Sequence, residues 1–312
     1  MPVFKIHHIT RYEYQRPVTE SVNEIRIFPY GDHALETLKH ELVISQQPAL
    51  YTFEDYWGNK VGTFNLTAPH RELSIESKLI VRTTANNQLH LNYNTGLDAL
   101  QQEMDGELRL LELTRPDHIV SQNIIEDILN QIVHPWKSTA AIVQDCNQYI
   151  YQHFRYIKGI TNVETTVDEI LQHRMGVCQD FAHVMLQILR SLNIPSRYVS
   201  GYICPNKNGL RGEGATHAWV EAWIPQYGWA GIDPTNNIWV TNTHVKLAVG
   251  RNFKDCSPVK GTFKGPSKQK LSVFVSVSYE DGRSFEDLND VTLQHQAGAL
   301  LTAQNEGVTA QQ

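Results

Sequence analysis

The sequence predicts a two-domain fold, with an all-β amino-terminal half and a carboxyl-terminal half in which helices precede strands. Three observations support this prediction. The chain has 312 residues, whereas one domain usually takes about 100–200. Alternation of apolar and polar residues prevails from position 3 to about 84, and helical periodicity prevails after position 117. Arg115-Pro116 separates the two patterns, so we place the boundary near residue 115.

The composition indicates a globular protein and excludes several classes of partner. Hydrophobic residues make up 41% of the chain and charged residues 19%, which is typical of globular proteins. The net charge of -6 carries no long block of either sign, so we expect no nucleic-acid partner. No segment calls for a membrane and no signal peptide is evident, so we expect a cytoplasmic protein. Four cysteines without a C-x-x-C pair favour neither a disulfide framework nor a structural zinc cluster.

The amino-terminal half, residues 1–115, is predicted to be a sandwich of antiparallel sheets. Its strand-like segments share a period of two, and they are Val3 to Tyr14, Leu38 to Ile44, Tyr51 to Asp55, Val61 to Leu66 and Leu73 to Val81. The turn Trp57-Gly58-Asn59 joins two of these segments as a hairpin. Several short strands at this spacing are typical of a sandwich.

Residues 116–288 are predicted to form a second domain that begins with helices. One helical stripe buries Cys146, and its members are Ile142, Val143, Cys146, Tyr149, Ile150, His153 and Phe154. Thr165 and Asp168 resemble the capping box of a short helix that ends before Gly176. Apolar residues then recur at helical spacing from Phe181 to Leu192. Cys178 is therefore expected at the amino terminus of this helix.

Strands are expected after these helices. They are Arg197 to Cys204, His217 to Ile224, Trp229 to Asp233 and, closing the second domain, Leu271 to Tyr279. A Gly-rich link, Asn208 to Gly214, joins the first two. Residues 289–312 contain few large apolar side chains, so we expect a flexible tail.

Cys178, His217 and Asp233 together have the chemistry of a thiol active site. A helix amino terminus favours the thiolate form of a cysteine, and a nearby imidazolium favours it further. His217 begins a predicted strand, and Asp233, 16 positions later, could orient its ring. A regular hairpin with an even-length turn would place His217 and Asp233 on opposite faces. We therefore expect an odd-length loop or a bulge near Tyr227 or Gly228.

Three segments resemble the motifs of bacterial transglutaminase-like cysteine proteins, and they are Gly176–Ala182, Thr216–Glu221 and Gly231–Asn236. The resemblance extends through Arg197–Tyr202 and Gly250–Phe253, and Asn23–Pro29 is similar to part of the family's β domain. It implies an α+β fold, in which an amino-terminal antiparallel β-sandwich precedes a papain-like transglutaminase core. It also implies Cys178 as nucleophile, His217 as base and Asp233 as orienting group. Asn252 and Cys256 depart from the family's pattern in the Gly-Arg stretch.

The expected activity is acyl transfer through a Cys178 thioester on a peptide or protein substrate. Hydrolysis is favoured because the resemblance is to predicted cysteine proteases, and transfer to an amine is the alternative. A third interpretation is a catalytically silent binding or scaffold protein. No cofactor is implied. A zinc site at Cys178, His217 and Asp233 lacks a metal-binding signature, so no metal is expected.

Other groups near the predicted site are weaker candidates for the base or for oxyanion donors. His183 points about 140° away from Cys178 on a helix, so a structural role is expected. The Cys178 backbone N–H is a natural oxyanion donor. Tyr198, Tyr202 and Gln179 are candidates for the second donor, and the sequence does not choose among them.

Overall fold

A computed structural model describes residues 2–84, 89–162, 165–204, 210–212, 216–265, 267–279 and the backbone of 284–291. The predicted flexible tail lies outside these residues, except that 289–291 belong to the last strand. Most of the Gly-rich link from Asn208 to Gly214 also lies outside them. Within the described part of the chain, no helix has the length and apolar character to cross a membrane.

The elements follow one another along the chain as strands, then helices, then strands. The strands are β1 (Val3–Val18), β2 (Glu20–Ile25), β3 (Leu35–Ile44), β4 (Tyr51–Glu54), β5 (Lys60–Leu66), β6 (His70–Thr83), β7 (Arg155–Tyr156), β8 (Met175–Gly176), β9 (Ser196–Ile203), β10 (Thr216–Ile224), β11 (Gly228–Asp233), β12 (Ile238–Trp239), β13 (His244–Gly250), β14 (Val259–Lys264), β15 (Gln269–Tyr279) and β16 (Ser284–Val291). The helices are α1 (Leu97–Met104), α2 (Leu108–Glu112), α3 (Gln122–Ile132), α4 (Thr139–His153), α5 (Val167–His173), α6 (Cys178–Ser191) and α7 (Phe253–Cys256).

Two antiparallel sheets form the predicted sandwich. One has the strand order β16-β15-β1-β6-β3 and the other β14-β2-β5-β4. Every second side chain of β1 from Phe4 to Tyr14 is buried, as its alternating pattern predicts. Phe4 and Ile6 of the first sheet share a core with Ile25 and Phe64 of the second. The hairpin of β4 and β5 is confirmed by their pairing.

The end of the chain returns to the sandwich. β15 is a strand as predicted, but it pairs with β1, and β14 pairs with β2. The prediction that Leu271 to Tyr279 closes the second domain was therefore wrong. Alternation identifies a strand because it reflects burial of one face, and it does not identify the strand's partner.

The helices between 97 and 112 also differ from the prediction. No helix was expected before the boundary at residue 115, yet α1 and α2 form there. Leu100, Met104 and Leu110 pack in the core of the helical half and not in the sandwich. These helices have only eight and five residues, so each is too short to show a clear period in the sequence.

The second half is built on the sheet β12-β11-β10-β9-β13. Ala218 and Val220 of β10 share a core with Phe181 and Met185 of α6. Tyr202 of β9 packs into the core of the sandwich. The molecule is thus an α+β protein in which the central sheet lies between α6 and the sandwich, and β10 is buried along almost its whole length.

Candidate active site

Cys178 is the first residue of α6, as predicted, and its residue exposure is only 2%. The turn before it is fixed by Asp180, which accepts hydrogen bonds from the Val177 N–H at 2.7 Å and the Thr161 hydroxyl at 2.6 Å. A Cβ at Gly176 would lie 2.5 Å from the Asp180 carboxylate, so only glycine fits there. The turn thereby fixes Cys178 in the first turn of α6.

His217 and Asp233 lie on the same face of the β10–β11 hairpin. Ile224 pairs with Gly228, which leaves a loop of three residues, 225–227. Gln226 and Gly228 have φ angles of 65° and 90° in this loop. The odd-length loop that the sequence requires near Tyr227 is therefore present.

His217 and Asp233 form a buried pair. His217 Nε2 lies 2.8 Å from Asp233 Oδ2, and neither side chain is exposed. Burial lowers the pKa of His217, but Asp233 and Cys178 both raise it, to about 10. Burial raises the pKa of Asp233, but His217 and His244 hold it well below its usual range. The three predicted residues thus lie close enough to act on one another electrostatically.

The Asp233 carboxylate has three further groups around it that the predicted triad does not include. Oδ1 accepts the Thr235 N–H at 2.9 Å, and Oδ2 accepts the Asn236 side-chain N–H at 2.7 Å. His244 Nε2 lies 3.3 Å from the same Oδ2. Asn236 stands in the Gly231–Asn236 motif, so the motif could have indicated it. His244 carries no spacing signal, because the sheet brings it in from β13.

A short segment lies over His217. A Cβ at Gly212, which has a φ of 79°, would lie 3.1 Å from His217 Nδ1. Asn236 binds this segment at both backbone groups of Arg211, with an N–H to Oδ1 distance of 2.7 Å and an Nδ2 to carbonyl distance of 3.2 Å. The Arg211 guanidinium also lies over the Tyr151 ring at 4.5 Å. The site is therefore closed to a polypeptide in this conformation.

His183 does not serve as a base for Cys178. Its ring stacks on Tyr198 with centroids 5.1 Å apart, and its Nε2 accepts the Phe253 N–H at 3.3 Å. Burial lowers the pKa of His183 to about 4. The structural role expected from its helical position agrees with these contacts.

Among the candidates for the second oxyanion donor, Tyr202 already forms a hydrogen bond with His8, because its hydroxyl lies 2.7 Å from His8 Nδ1. The hydroxyl of Tyr198 is buried without a hydrogen-bond partner in the described part of the chain. Burial and the nearby Cys178 raise the pKa of Tyr198. The unpartnered atom of Gln179 is its acceptor Oε1. Tyr198 therefore stays a candidate donor.

The Gly-Arg stretch has a structural role. Arg251 donates to the carbonyl of Glu112 at 3.1 Å and to the Asp117 carboxylate at 2.8 Å. Asn252, which departs from the family's pattern, accepts the Lys254 N–H at 2.9 Å and begins α7. Cys256, the other departure, is fully buried and lies with its sulfur 3.7 Å from the Tyr198 carbonyl.

His217, Asp233 and His244 are the described residues whose ligand atoms cluster as a metal would require, all within 4.8 Å. Ligands around zinc at about 2.0–2.1 Å in a tetrahedron lie roughly 3.3 Å apart. His217 Nε2 is closer than that to Oδ2, at 2.8 Å. The same Oδ2 accepts an N–H from Asn236. These contacts fit a hydrogen-bonded carboxylate better than a metal ligand.

Two segments match known families. Residues 126–234 match the family described as the transglutaminase-like superfamily, and residues 4–82 match the bacterial transglutaminase-like N-terminal region. Both Cys178 and the His217–Asp233 pair fall within the first match.

Related proteins include several without an assigned activity. The chain is 32% identical to uncharacterized protein ML0607 of Mycobacterium leprae, over 88% of this chain and 98% of that protein. It is 31% identical to uncharacterized protein Rv2569c of Mycobacterium tuberculosis, over 83% and 86%. A protein-glutamine gamma-glutamyltransferase of Pseudomonas aeruginosa is 26% identical, over 64% of this chain and 30% of that protein.

A solved structure shares the fold over almost the whole chain. It is a protein of Cytophaga hutchinsonii described as a "putative cysteine protease", with a TM-score of 0.68 and 20% sequence identity. The similarity covers 99% of this chain and 97% of that one. The two-part architecture is therefore shared as a whole.

Proposed function

Because this chain belongs to the transglutaminase-like superfamily, we propose that it is an acyl-transfer enzyme with Cys178 as nucleophile, His217 as base and Asp233 as orienting group. One observation carries the proposal. His217 is bound to a buried carboxylate on one side and lies beside the Cys178 sulfur on the other, and its pKa is raised to about 10. A protonated imidazole beside a thiol at a helix amino terminus stabilises the thiolate.

The proposed reaction begins when the Cys178 thiolate attacks the carbonyl carbon of a peptide or carboxamide. The carbonyl π electrons move to oxygen, and the Cys178 backbone N–H is placed to donate to that oxyanion. As the oxyanion collapses, the C–N bond breaks, and His217 gives its proton to the departing amine. A thioester on Cys178 and a neutral His217 remain. His217 can then take a proton from the next nucleophile.

That next nucleophile determines the reaction class. Water gives a cysteine peptidase or amidase, and we favour this outcome because the protein of Cytophaga hutchinsonii with the same fold is described as a protease. An amine would give a transamidase, as the name of the Pseudomonas aeruginosa relative states for that protein. Incubation of a reactive glutamine peptide with a primary amine separates the two, because only transamidation joins the amine to the peptide.

The burial of Cys178 favours a different candidate, a silent binding or scaffold protein. Cys178 is 2% exposed, and His217 and Asp233 are not exposed at all. A polypeptide therefore reaches the thiol only if some of the residues that bury it move. The deciding question is therefore whether Cys178 reacts as a thiolate.

The pH dependence of iodoacetamide labelling, followed by peptide mapping, tests this question. Cys146, Cys204 and Cys256 are internal controls because they are equally buried, and burial raises the pKa of each. We expect Cys178 to label preferentially at pH 6, below the free-thiol pKa of about 8.5. His217→Ala should abolish this preference. Labelling of Cys178 no faster than Cys204 would instead support the silent protein.

The remaining parts of the proposal concern partners and compartment. We propose a peptide or protein substrate, and neither nucleic acid nor a membrane as partner. All four cysteines lie in the described part of the chain and none is in a disulfide. A reducing compartment keeps a catalytic thiol in its active form, which supports a cytoplasmic location.

A further inference from the structure

We infer that His244 is a positioning residue for His217, a second histidine that binds the same carboxylate oxygen and fixes the orientation of Asp233. The inference rests on the proposed function, because it assigns His244 a role in the reaction of Cys178. His244 begins β13, and its Nε2 lies 3.3 Å from Asp233 Oδ2. It acts through Asp233 and does not itself contact the reacting atoms.

The hydrogen bonds around Asp233 define which nitrogen of each ring donates to the carboxylate. The carboxylate is ionised, since its pKa is held well below the usual range against the effect of burial, mainly by His217 and His244. An ionised carboxylate only accepts hydrogen bonds. Both histidines must therefore donate from Nε2, and His217 is left with Nδ1 for Cys178.

His244 is suited to this role because it is neutral. Burial lowers its pKa, and the attraction of Asp233 offsets only part of that effect. With the proton on Nε2, its Nδ1 is an acceptor, and the Thr243 hydroxyl lies 3.2 Å from it. A neutral donor orients the carboxylate without neutralising it, so the negative charge still stabilises the imidazolium of His217.

Packing holds the His244 ring in place. Its side chain is not exposed, and the Trp219 ring lies edge-on to it with centroids 5.0 Å apart. Gly201 makes room for that indole, because a Cβ there would lie 2.6 Å from the Trp219 ring and 2.2 Å from the Val245 carbonyl. Gly201 pairs with His217 across the sheet. The glycine therefore allows Trp219 to pack beside both histidines, with its ring centroid 6.4 Å from that of His217.

Two substitutions at position 244 separate positioning from packing. His244→Leu keeps an apolar side chain but removes the donor, whereas His244→Gln places an amide N–H near the position of Nε2. We expect His244→Leu to slow the pH 6 labelling of Cys178 about 10-fold and to shift the labelling midpoint upward. His244→Gln should recover most of the rate. A purely structural residue would lower the unfolding temperature without moving that midpoint.

A matched control comes from His8, which is also fully buried beside an aromatic ring, in the sandwich. His8→Leu should destabilise the chain and leave the Cys178 midpoint unchanged. Thr243→Val, which keeps His244, should give a smaller shift in the same direction and serves if His244→Leu does not fold. An unchanged Cys178 midpoint in His244→Leu overturns the inference. If His244→Leu does not fold, an unchanged midpoint in Thr243→Val overturns it.

Nuclear magnetic resonance distinguishes failure of this inference from failure of the proposed function. Long-range 1H–15N spectra, assigned with His244→Gln, should show His244 as the neutral Nε2–H tautomer whether or not Cys178 is activated. An Nδ1–H tautomer or a charged ring at pH 7 overturns the inference. Dialysis against EDTA should leave the labelling of wild-type Cys178 unchanged. If EDTA abolishes the labelling and added zinc restores it, the inference is overturned in favour of a metal site.

Discussion

Two histidines, one in each half of the molecule, are fully buried and have pKa values shifted in opposite directions. His8 in the sandwich contacts neutral groups, the hydroxyls of Tyr202 at 2.7 Å and Thr10 at 3.0 Å. Burial lowers its pKa to about 4. His217 in the central sheet is equally buried, but Asp233 and Cys178 overcome burial and raise its pKa to about 10.

The difference shows what makes a buried histidine suitable for chemistry. Burial alone removes the charge from an imidazole, because the charged form loses its hydration. For His217, the Asp233 carboxylate at 2.8 Å and the nearby Cys178 together reverse that result. The central sheet contains both cases in one cluster, since His244 at the same carboxylate has a pKa lowered by burial. In the proposed reaction, the neutral His244 orients the carboxylate and the charged His217 transfers the proton.

The largest effect is expected from removing the negative charge that distinguishes the surroundings of His217 from those of His8. In Asp233→Asn, His217 keeps its burial and loses its carboxylate, so its pKa should fall below the ordinary value of 6.5 toward that of His8. An upward shift of two pH units in the Cys178 labelling midpoint reduces the rate by up to about 100-fold, with the full loss at pH values below the wild-type midpoint. Iodoacetamide labelling from pH 5 to 9 measures it. An unchanged midpoint would show that Asp233 does not set the charge of His217.

Glu221 provides the next test. It is a buried carboxylate on β10, the strand of His217, but it does not contact Asp233 or either histidine. It lies 2.7 Å from Arg197 and 2.5 Å from Lys246. Burial raises its pKa, but Lys246 and Arg197 lower it to about 2. Glu221→Gln leaves the buried Arg197 without a carboxylate and leaves Lys246 with Asp32 alone, at 2.8 Å; breaking a buried ion pair typically costs about 3–5 kcal/mol. Urea unfolding measures this loss, and the Cys178 labelling midpoint should not change.

The matched control for Glu221 is an exposed ion pair. Glu36 lies 2.6 Å from Arg82, and both side chains are more than a third exposed. Glu36→Gln should cost less than about 1 kcal/mol, since water screens such pairs. Equal losses in Glu36→Gln and Glu221→Gln would contradict a structural role for the buried network. A shifted Cys178 midpoint in Glu221→Gln would place Glu221 with the active site instead.

The sequence was sufficient for the elements that carry Cys178, His217 and Asp233, because α6 has a clear helical period and the family motifs mark β10 and β11. The odd-length loop followed from the requirement that His217 and Asp233 share a face. β2 was missed for a physical reason. Its inward side chains include Ser21 and Asn23, which are buried but polar, so apolar alternation is absent.

Tertiary pairing could not be predicted in the same way. The pairing of β15 with β1 joins segments more than 250 positions apart, such as Phe4 with Tyr279. His244 reaches Asp233 only because β13 lies beside β9 in the central sheet. No spacing in the sequence encodes either contact. Residues that support a site from a distant strand therefore need the structure to be found.

A smaller effect is expected from His8 itself. Its pKa is about 4 in the folded chain and 6.5 when unfolded. Between these pH values the unfolded chain holds the proton and the folded chain does not, so stability falls as the pH drops through this window, by about 3 kcal/mol for this group. His8→Asn should remove this contribution and lower the proton uptake on unfolding at pH 5 by about one. An unchanged pH dependence of stability would contradict a neutral buried His8.

The opposite sign is expected for His217, whose folded-state pKa lies above its unfolded value of 6.5. Between pH 6.5 and about 10 the folded chain holds a proton that the unfolded chain has lost. Stability from this group is therefore complete below pH 6.5 and decreases as the pH rises through the window. Asp233→Asn should flatten this alkaline decrease in urea unfolding experiments. A decrease of the same size in the variant would contradict the ion pair.

The smallest effect concerns access to the buried cluster. Arg211 stacks on Tyr151 at 4.5 Å beside Gly212, the residue that lies over His217. A cation–π contact of this kind contributes about 0.5–1 kcal/mol at an exposed site. Arg211→Ala should therefore raise the fraction of molecules with Cys178 accessible, and increase its labelling rate roughly 2- to 5-fold at every pH.

Arg109 is the matched control for Arg211, since its guanidinium lies over the Tyr56 ring at 5.4 Å and joins α2 to the turn after β4. Arg109→Ala should leave Cys178 labelling unchanged. A faster rate in Arg211→Ala with the same midpoint would show that the Arg211 segment controls access and Asp233 controls charge. If Arg211→Ala labels at the wild-type rate, access to Cys178 depends on other contacts. His217 would then differ from His8 in its charge alone.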